Sequence, residues 1–241
     1  MKNLTLVTMV IVIGIAAVCS SCIIAIKPIM GNGNIRTSER TVSSFDKIHI
    51  SGSAEVRFHE SQEYRASVTV DSNLDEYVEV YVSGNTLNIR TRDGYTYSFK
   101  KFLVDVYCPV LTGVSVSGSG SFEGKDAIIA PVFESEISGS GRIGGRIECG
   151  YFSARIAGSG RINVTGNSVS SNIAISGSGS FNGDTFIVNT AVVSITGSGN
   201  AYVYVTNSLR ADISGSGTIN YRGNPQVVDS NISGSGRVKK I

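Results

Sequence analysis

A four-residue motif, Ser-Gly-Ser-Gly, recurs through the second half of the chain at an almost fixed interval. Its seven copies are Ser117 to Gly120, Ser138 to Gly141, Ala157 to Gly160, Ser176 to Gly179, Thr196 to Gly199, Ser214 to Gly217 and Ser233 to Gly236. Their first glycines are spaced by 21, 19, 19, 20, 18 and 19 residues, the mark of a solenoid in which each repeat is one coil. An apolar residue precedes each motif (Val116, Ile137, Ile156, Ile175, Ile195, Ile213, Ile232). Another follows two residues after it (Phe122, Ile143, Ile162, Phe181, Ala201, Ile219, Val238). All share one parity, so strand alternation turns both apolar columns and both glycines inward and the two serines outward. No apolar 3.6-residue period competes. The expected fold is all-β, a single-stranded parallel β-helix whose seven coils of about 19 residues stack to about 30 Å at about 4.8 Å each. Glycine in an inward column means close backbone approach or a bend at positive φ, and the sequence leaves both open.

The register also places charges. Counting back three from each first glycine gives an outward column of Glu136, Arg155, Ala174, Ser194, Asp212 and Asn231. Counting back five gives Glu134, Ser153, Asn172, Val192, Arg210 and Asp229. Glu136 and Arg155 become neighbours, as do Arg210 and Asp229, and such surface pairs contribute a few tenths of a kcal/mol each. Upstream, residues 40–116 read as less regular strands that cap the solenoid. Val78 to Val82 and Leu87 to Thr91 flank a hairpin-like Ser83-Gly84-Asn85-Thr86. Ile50-Ser51-Gly52-Ser53-Ala54 repeats the coil motif with alanine for the second glycine. Lys239 and Lys240 guard the last coil against edge pairing, although that edge is also a candidate surface for oligomerisation.

The first residues are an address. Lys2, the uncharged apolar stretch Leu4 to Val18 and the cluster Cys19-Ser20-Ser21-Cys22 have the layout of a secretory signal peptide over residues 1–21, with Cys22 as the lipidated residue of a bacterial lipoprotein. The alternative is an uncleaved anchor, since the uncharged run from Asn3 to Ile26 exceeds the roughly 20 residues a bilayer needs. Residues 22–39, with Gly31-Asn32-Gly33-Asn34, read as a tether. The expected location is therefore the cell envelope, at the outer membrane. Of the remaining cysteines, Cys108 and Cys149 share the parity of their apolar neighbours and read as small core residues, with a disulfide between them left open.

Several functions are excluded or weakened. A formal net charge of +2, with 21 basic and 19 acidic residues, gives no footprint for nucleic acid. No motif glycine continues as a phosphate loop, so no nucleotide or other cofactor is expected. His49 and His59 have no cysteine or second histidine at metal spacing and read as surface residues. Glu134 and Glu136 are the only close same-face acids in the coils, and Arg155 neutralises one of them, so glycosidase-like chemistry is not supplied. The outward serines form a hydroxyl lattice, but they lack the methyl groups of an ice-binding face.

Taken together, the export signal, the irregular β-rich first part and the serial coils, with Gly160-Arg161-Ile162-Asn163 and Gly217-Thr218-Ile219-Asn220 carrying a Gly-x-Ile-Asn form, resemble the auto-transporter adhesin family with the head GIN domain. The resemblance covers roughly residues 40 to 241. It implies a right-handed, pectin-lyase-like β-helix, an envelope location and an adhesive or ligand-binding role without a catalytic constellation. Because the repeat runs to Ile241, no membrane barrel is expected after it. The ligand expected is a glycan or another envelope or host-surface component, and the candidate stacking residues are Tyr95, Tyr97, Tyr202 and Tyr204, with Phe99 and Phe102 beside the first pair. The alternatives are a structural envelope protein and a polysaccharide lyase or hydrolase.

Overall fold

The computed structural model describes residues 27–241, so the signal peptide and Cys22 lie outside the described residues. Among the described residues nineteen strands form one long sheet and one small one. The first part of the chain contributes β1 (Ile29–Met30), β2 (Ile35–Arg40), β3 (Lys47–Gly52), β4 (Glu55–Glu60), β5 (Arg65–Asp71), β6 (Val78–Ser83), β7 (Thr86–Thr91), β8 (Tyr97–Ser98) and β9 (Phe102–Cys108). The repeats contribute β10 (Gly113–Gly118), β11 (Ser121–Gly124), β12 (Ile128–Gly139), β13 (Arg142–Gly158), β14 (Arg161–Gly177), β15 (Ser180–Gly197), β16 (Asn200–Gly215), β17 (Thr218–Arg222), β18 (Val227–Gly234) and β19 (Arg237–Lys240).

The coils stack in parallel and in the register that the motif dictates. Gly118 pairs with Gly139, Gly139 with Gly158, Gly158 with Gly177, Gly177 with Gly197, Gly197 with Gly215 and Gly215 with Gly234. Each coil has one wall ending at the first glycine and a second wall beginning after the second glycine. The isoleucine column is buried from Ile137 to Ile213, as are Phe122, Ile143, Ile162, Phe181, Ala201 and Ile219. Each such large side chain contributes about 2 kcal/mol by leaving water. Phe133 and Phe152 stack at 6.4 Å between ring centroids, and Phe152 meets Phe186 at 4.9 Å. Ser171 continues the Phe133 and Phe152 column, and its hydroxyl is the single buried side-chain polar atom without a partner among the described residues.

The two glycines of the motif do different work, which corrects the expectation that both face inward. The second glycine is buried: a Cβ on Gly179 would meet Ile156 Cγ2 at 2.5 Å and the Gly160 carbonyl oxygen at 2.9 Å. The first stands at the corner, partly exposed, with φ of +110° at Gly177, and its carbonyl oxygen accepts from the next coil, Ser198 N to Gly177 O at 2.9 Å. Both mechanisms left open by the sequence therefore operate, one at each glycine. The motif serines face outward as expected, but no side-chain hydrogen bond joins a motif serine to the next among the described residues. Strands about 4.8 Å apart hold their hydroxyls beyond hydrogen-bond reach.

The N-terminal part is built on the same columns by a detour. β3 pairs with β10 in motif register, Gly52 opposite Gly118, and β4 pairs with β11, so Ile50 to Ala54 is a true coil corner. β7 then adds beyond β3 and β9 beyond β4, again in parallel. The outer edges are closed by antiparallel strands: β6 on β7 through the two-residue Gly84-Asn85 loop, β5 on β9, and β2 on β5. The stretch read as a tether thus becomes sheet from Ile29 onward, because β2 finds an unpaired edge and β1 pairs with β8. Asp71 fastens this region. Its buried carboxylate accepts from Gly33 N at 2.8 Å, Lys100 N at 2.8 Å and Lys101 N at 3.3 Å. Burial works to raise this carboxyl, but the backbone donors outweigh it and hold it below the usual carboxylate range.

Candidate functional site

Two adjoining hollows lie on the outward face of the first wall. One row of side chains runs across it, one per strand: Asn88, His49, Ser115, Glu136 and Arg155, joined by the pairings His49 with Asn88, Ser115 with His49, Ser115 with Glu136 and Glu136 with Arg155. Alternation sends all five outward, and the strand spacing sets them about 4.8 Å apart. A hollow of about 210 Å3 opens between Lys47, Ser115, Glu134, Glu136 and Arg155. A second, of about 250 Å3, continues from Glu136 and Arg155 toward Ala174, Ser176 and Ser194. The two meet at Glu136 and Arg155, so the face carries one groove along the solenoid axis. Small residues, Gly113, Ala157 and Ala174, line the two hollows beside these charged groups.

Within the groove some polar groups are committed and others are not. Lys47 Nζ donates to Glu134 Oε2 at 2.8 Å, and His49 Nδ1 shares a hydrogen bond of 2.7 Å with the Ser115 hydroxyl. Glu136 and Arg155, expected to neutralise one another, are register neighbours but form no ion pair among the described residues. Arg210 and Asp229 behave alike. Arg210 instead pairs along its own strand with Asp212, at 3.0 Å, as Arg146 does with Glu148 at 2.7 Å. Residues two apart on one strand share a face, and a long arginine folds back along it with less ordering than it needs to cross to the next coil.

The Ser115–His49 pair has the residue types of a nucleophile and base, but among the described residues no carboxylate bonds the other ring nitrogen of His49 to orient it. The surrounding backbone N–H groups belong to the parallel ladder between β3, β10 and β12 and lie in the sheet. Among the described residues no group of three or more His, Cys, Asp or Glu gathers at metal distance. His59, expected as a plain surface residue, is half-buried. It bonds Asp105 at 3.2 Å and stacks on Tyr107, whose other neighbour is the Arg65 guanidinium, 4.0 Å from the ring centroid. Cys108 and Cys149 are free; burial pushes the Cys108 thiol up to about 12 and raises that of Cys149 as well.

The four candidate tyrosines fall in two places. Tyr202 and Tyr204 lie on β16, Tyr202 exposed between Asn182 and Asn220 and Tyr204 half-buried. Tyr95 and Tyr97 belong to an aromatic cluster near the N-terminal cap. There Tyr77 meets Tyr95 at 5.7 Å and Tyr97 at 5.4 Å, Tyr97 meets Phe99 at 5.8 Å, and Phe99 meets Phe102 at 4.5 Å. Burial raises the Tyr97 phenol, whose hydroxyl donates to the Arg92 carbonyl at 2.9 Å. The groove row is the part that sequence reading misses. Counting back three from Gly52 yields His49 in the column of Ser115 and Glu136, but the count is meaningful only once β3 is known to stack on β10.

The model of the family described as "Putative auto-transporter adhesin, head GIN domain" matches residues 44–225, well over half of the chain. The chain belongs to this family. Solved structures agree with the assignment of the head GIN fold. A putative adhesin from Bacteroides fragilis NCTC 9343 superposes with a TM-score of 0.85 at 22% identity, over 88% of this chain and 100% of that one. A putative adhesin from Parabacteroides merdae ATCC 43184 gives 0.72 at 24% identity, over 88% and 98%. A protein described as a putative lipid binding protein, from Parabacteroides distasonis ATCC 8503, gives 0.74 at 30% identity, over 89% and 100%. Among curated proteins none matches. The head GIN chain is thus an adhesin-like module on a β-solenoid.

Proposed function

We propose that the protein is a non-catalytic adhesion module of the cell envelope, attached to the outer membrane through lipidated Cys22, whose groove takes an extended glycan bearing charged substituents. The observation that carries this is the meeting of two hollows at Glu136 and Arg155, a carboxylate and a guanidinium without ion-pair partners among the described residues. A chain laid along the solenoid axis meets a hydroxyl, a carboxylate, a guanidinium and small residues in succession, one per strand. Polar groups that converge in a concavity give specificity to a hydroxylated ligand, and charges on its wall steer it. Hydrolysis is disfavoured, because Glu134 is held by Lys47 and the acid pair needed at a glycosidic bond is broken up.

The test is a glycan-array and matrix-protein binding screen on the full chain, followed by titration of whatever binds. Replacing Glu136 and Arg155 together by alanine should weaken saturable binding at least about tenfold, the loss of one charge-assisted contact or more, with an unchanged melting temperature because both side chains are exposed. Binding retained there and lost in Tyr202→Ala/Tyr204→Ala would move the site to β16. Shortening of an offered polysaccharide would overturn the non-catalytic reading. Silence on every ligand would favour a structural envelope protein.

A further inference from the structure

The aromatic cluster at the N-terminal cap is separate from the groove and has no role in it. Tyr77, Tyr95, Tyr97, Phe99 and Phe102 form a continuous chain of rings, 4.5 to 5.8 Å from one to the next. It is not enclosed as the phenylalanines of the coils are: Tyr95 is 55% exposed, and Ile29 of β1, opposite Tyr97, lies on the same face as that ring. Tyrosine rings backed by Ile29, Phe99 and Phe102 present an apolar body and a polar tip, the combination favoured where hydrocarbon meets headgroups. Charges of both signs border the rings: the Arg92 guanidinium, 5.6 Å from the centre of the Tyr77 ring, lies 3.9 Å from Glu79, and exposed Asp93 and Lys100 flank the stretch that carries Tyr95 and Phe99.

The position of this cluster along the chain identifies its partner. Ile29 of β1, lying against Tyr97, is seven residues from Cys22, a separation of at most about 25 Å even when fully extended. We infer that this aromatic end rests in the interfacial layer of the bilayer that holds Cys22, with Tyr95 at the headgroup level. The inference rests on N-terminal attachment, not on the groove or its glycan. A short tether makes the contact effectively intramolecular, so a patch too weak to bind vesicles alone is enough to orient an anchored solenoid. Docking at this end directs the coils, and with them the groove, away from the membrane.

The sequence contains no tryptophan, so a single introduced indole reports one place. Full-length Tyr95→Trp and Tyr202→Trp proteins, purified with their native N-terminus, are reconstituted on phosphatidylcholine vesicles containing phosphatidylglycerol, with and without lipid brominated close to the headgroup. Flotation reads attachment, and fluorescence reads docking. The expected result is that both float, that Tyr95→Trp emission shifts to shorter wavelength and is quenched by brominated lipid, and that Tyr202→Trp emission is unaffected. Flotation with Tyr95→Trp unquenched would overturn docking while leaving attachment intact. Failure to float would overturn both. A Tyr95→Trp signal that answers to soluble oligosaccharide and not to lipid would make the rings a glycan platform and would also overturn the inference.

Discussion

Eight glycines, from Gly52 to Gly234, form a column of corners with φ between +106° and +124°, a region that L side chains rarely enter. At Gly177 a Cβ would also meet the Gly158 carbonyl oxygen at 2.7 Å, whereas at Gly52, the open end of the column, nothing lies within 4 Å. Backbone strain therefore acts at both sites and steric conflict only at one. Gly177→Val should destabilise the fold by about 3 kcal/mol, and Gly52→Ala by about 1 kcal/mol. Melting curves check the pair; equal losses would mean that crowding contributes nothing. Which residues face the core was legible from parity alone, as Ile137 and Phe122 illustrate. The division of labour between the glycines was not, because parity gives the face of a residue and not the φ at which the chain turns.

At the level of elements, β2 and the turn before it depend on one buried carboxylate. Since the folded Asp71 carboxyl lies below its ordinary value of 3.8, its contribution is fully present above that value and is lost as pH falls through the lower folded value. Acidification should release residues 35–40 from β5, with the turn before them, before the coils melt, and Asp71→Asn should produce the same release at neutral pH. Amide exchange or limited proteolysis in this segment is the readout; protection unchanged by either treatment would remove Asp71 from that role. The hairpin of β6 and β7 announced itself in Ser83-Gly84-Asn85-Thr86, a local signal. The docking of β2 did not, since its partner β5 lies some thirty residues downstream and the glycines before β2 look like linker composition. Glu136 and Arg155 were placed as neighbours correctly, but their separation as charges depends on side-chain conformation, which columns of letters do not encode.

Across the whole molecule the two ends are unlike. Antiparallel β2, β5 and β6 close the first end, whereas β18 is exposed along its length, with Ile232 at 40% where the equivalent Ile213 is at 3%. In a stack held by nearest-neighbour contacts, a terminal coil has one interface instead of two. Amide protection should therefore fall stepwise toward residues 227–241 and be highest in β13 to β15. A flat protection profile would show that the stack unfolds as one unit. The seven coils and their parallel stacking were readable from the repeat, while the closed end was hidden in residues 40–116, where no period survives.

The detour through β5 to β9 has a consequence for how the chain reaches this state. Successive coils join residues about 19 apart, as Arg161 and Ser180 are, but the first joint brings His49 to Ser115 across 66 residues. Closing the longer loop costs about 1 kcal/mol more in chain entropy and makes the contact less local, which slows its formation. The repeats zip from neighbour to neighbour, and the joint between β3 and β10 waits until the cap strands between them have been ordered. Because His49 and Ser115 belong to the groove, the binding face is completed only when that slowest joint closes.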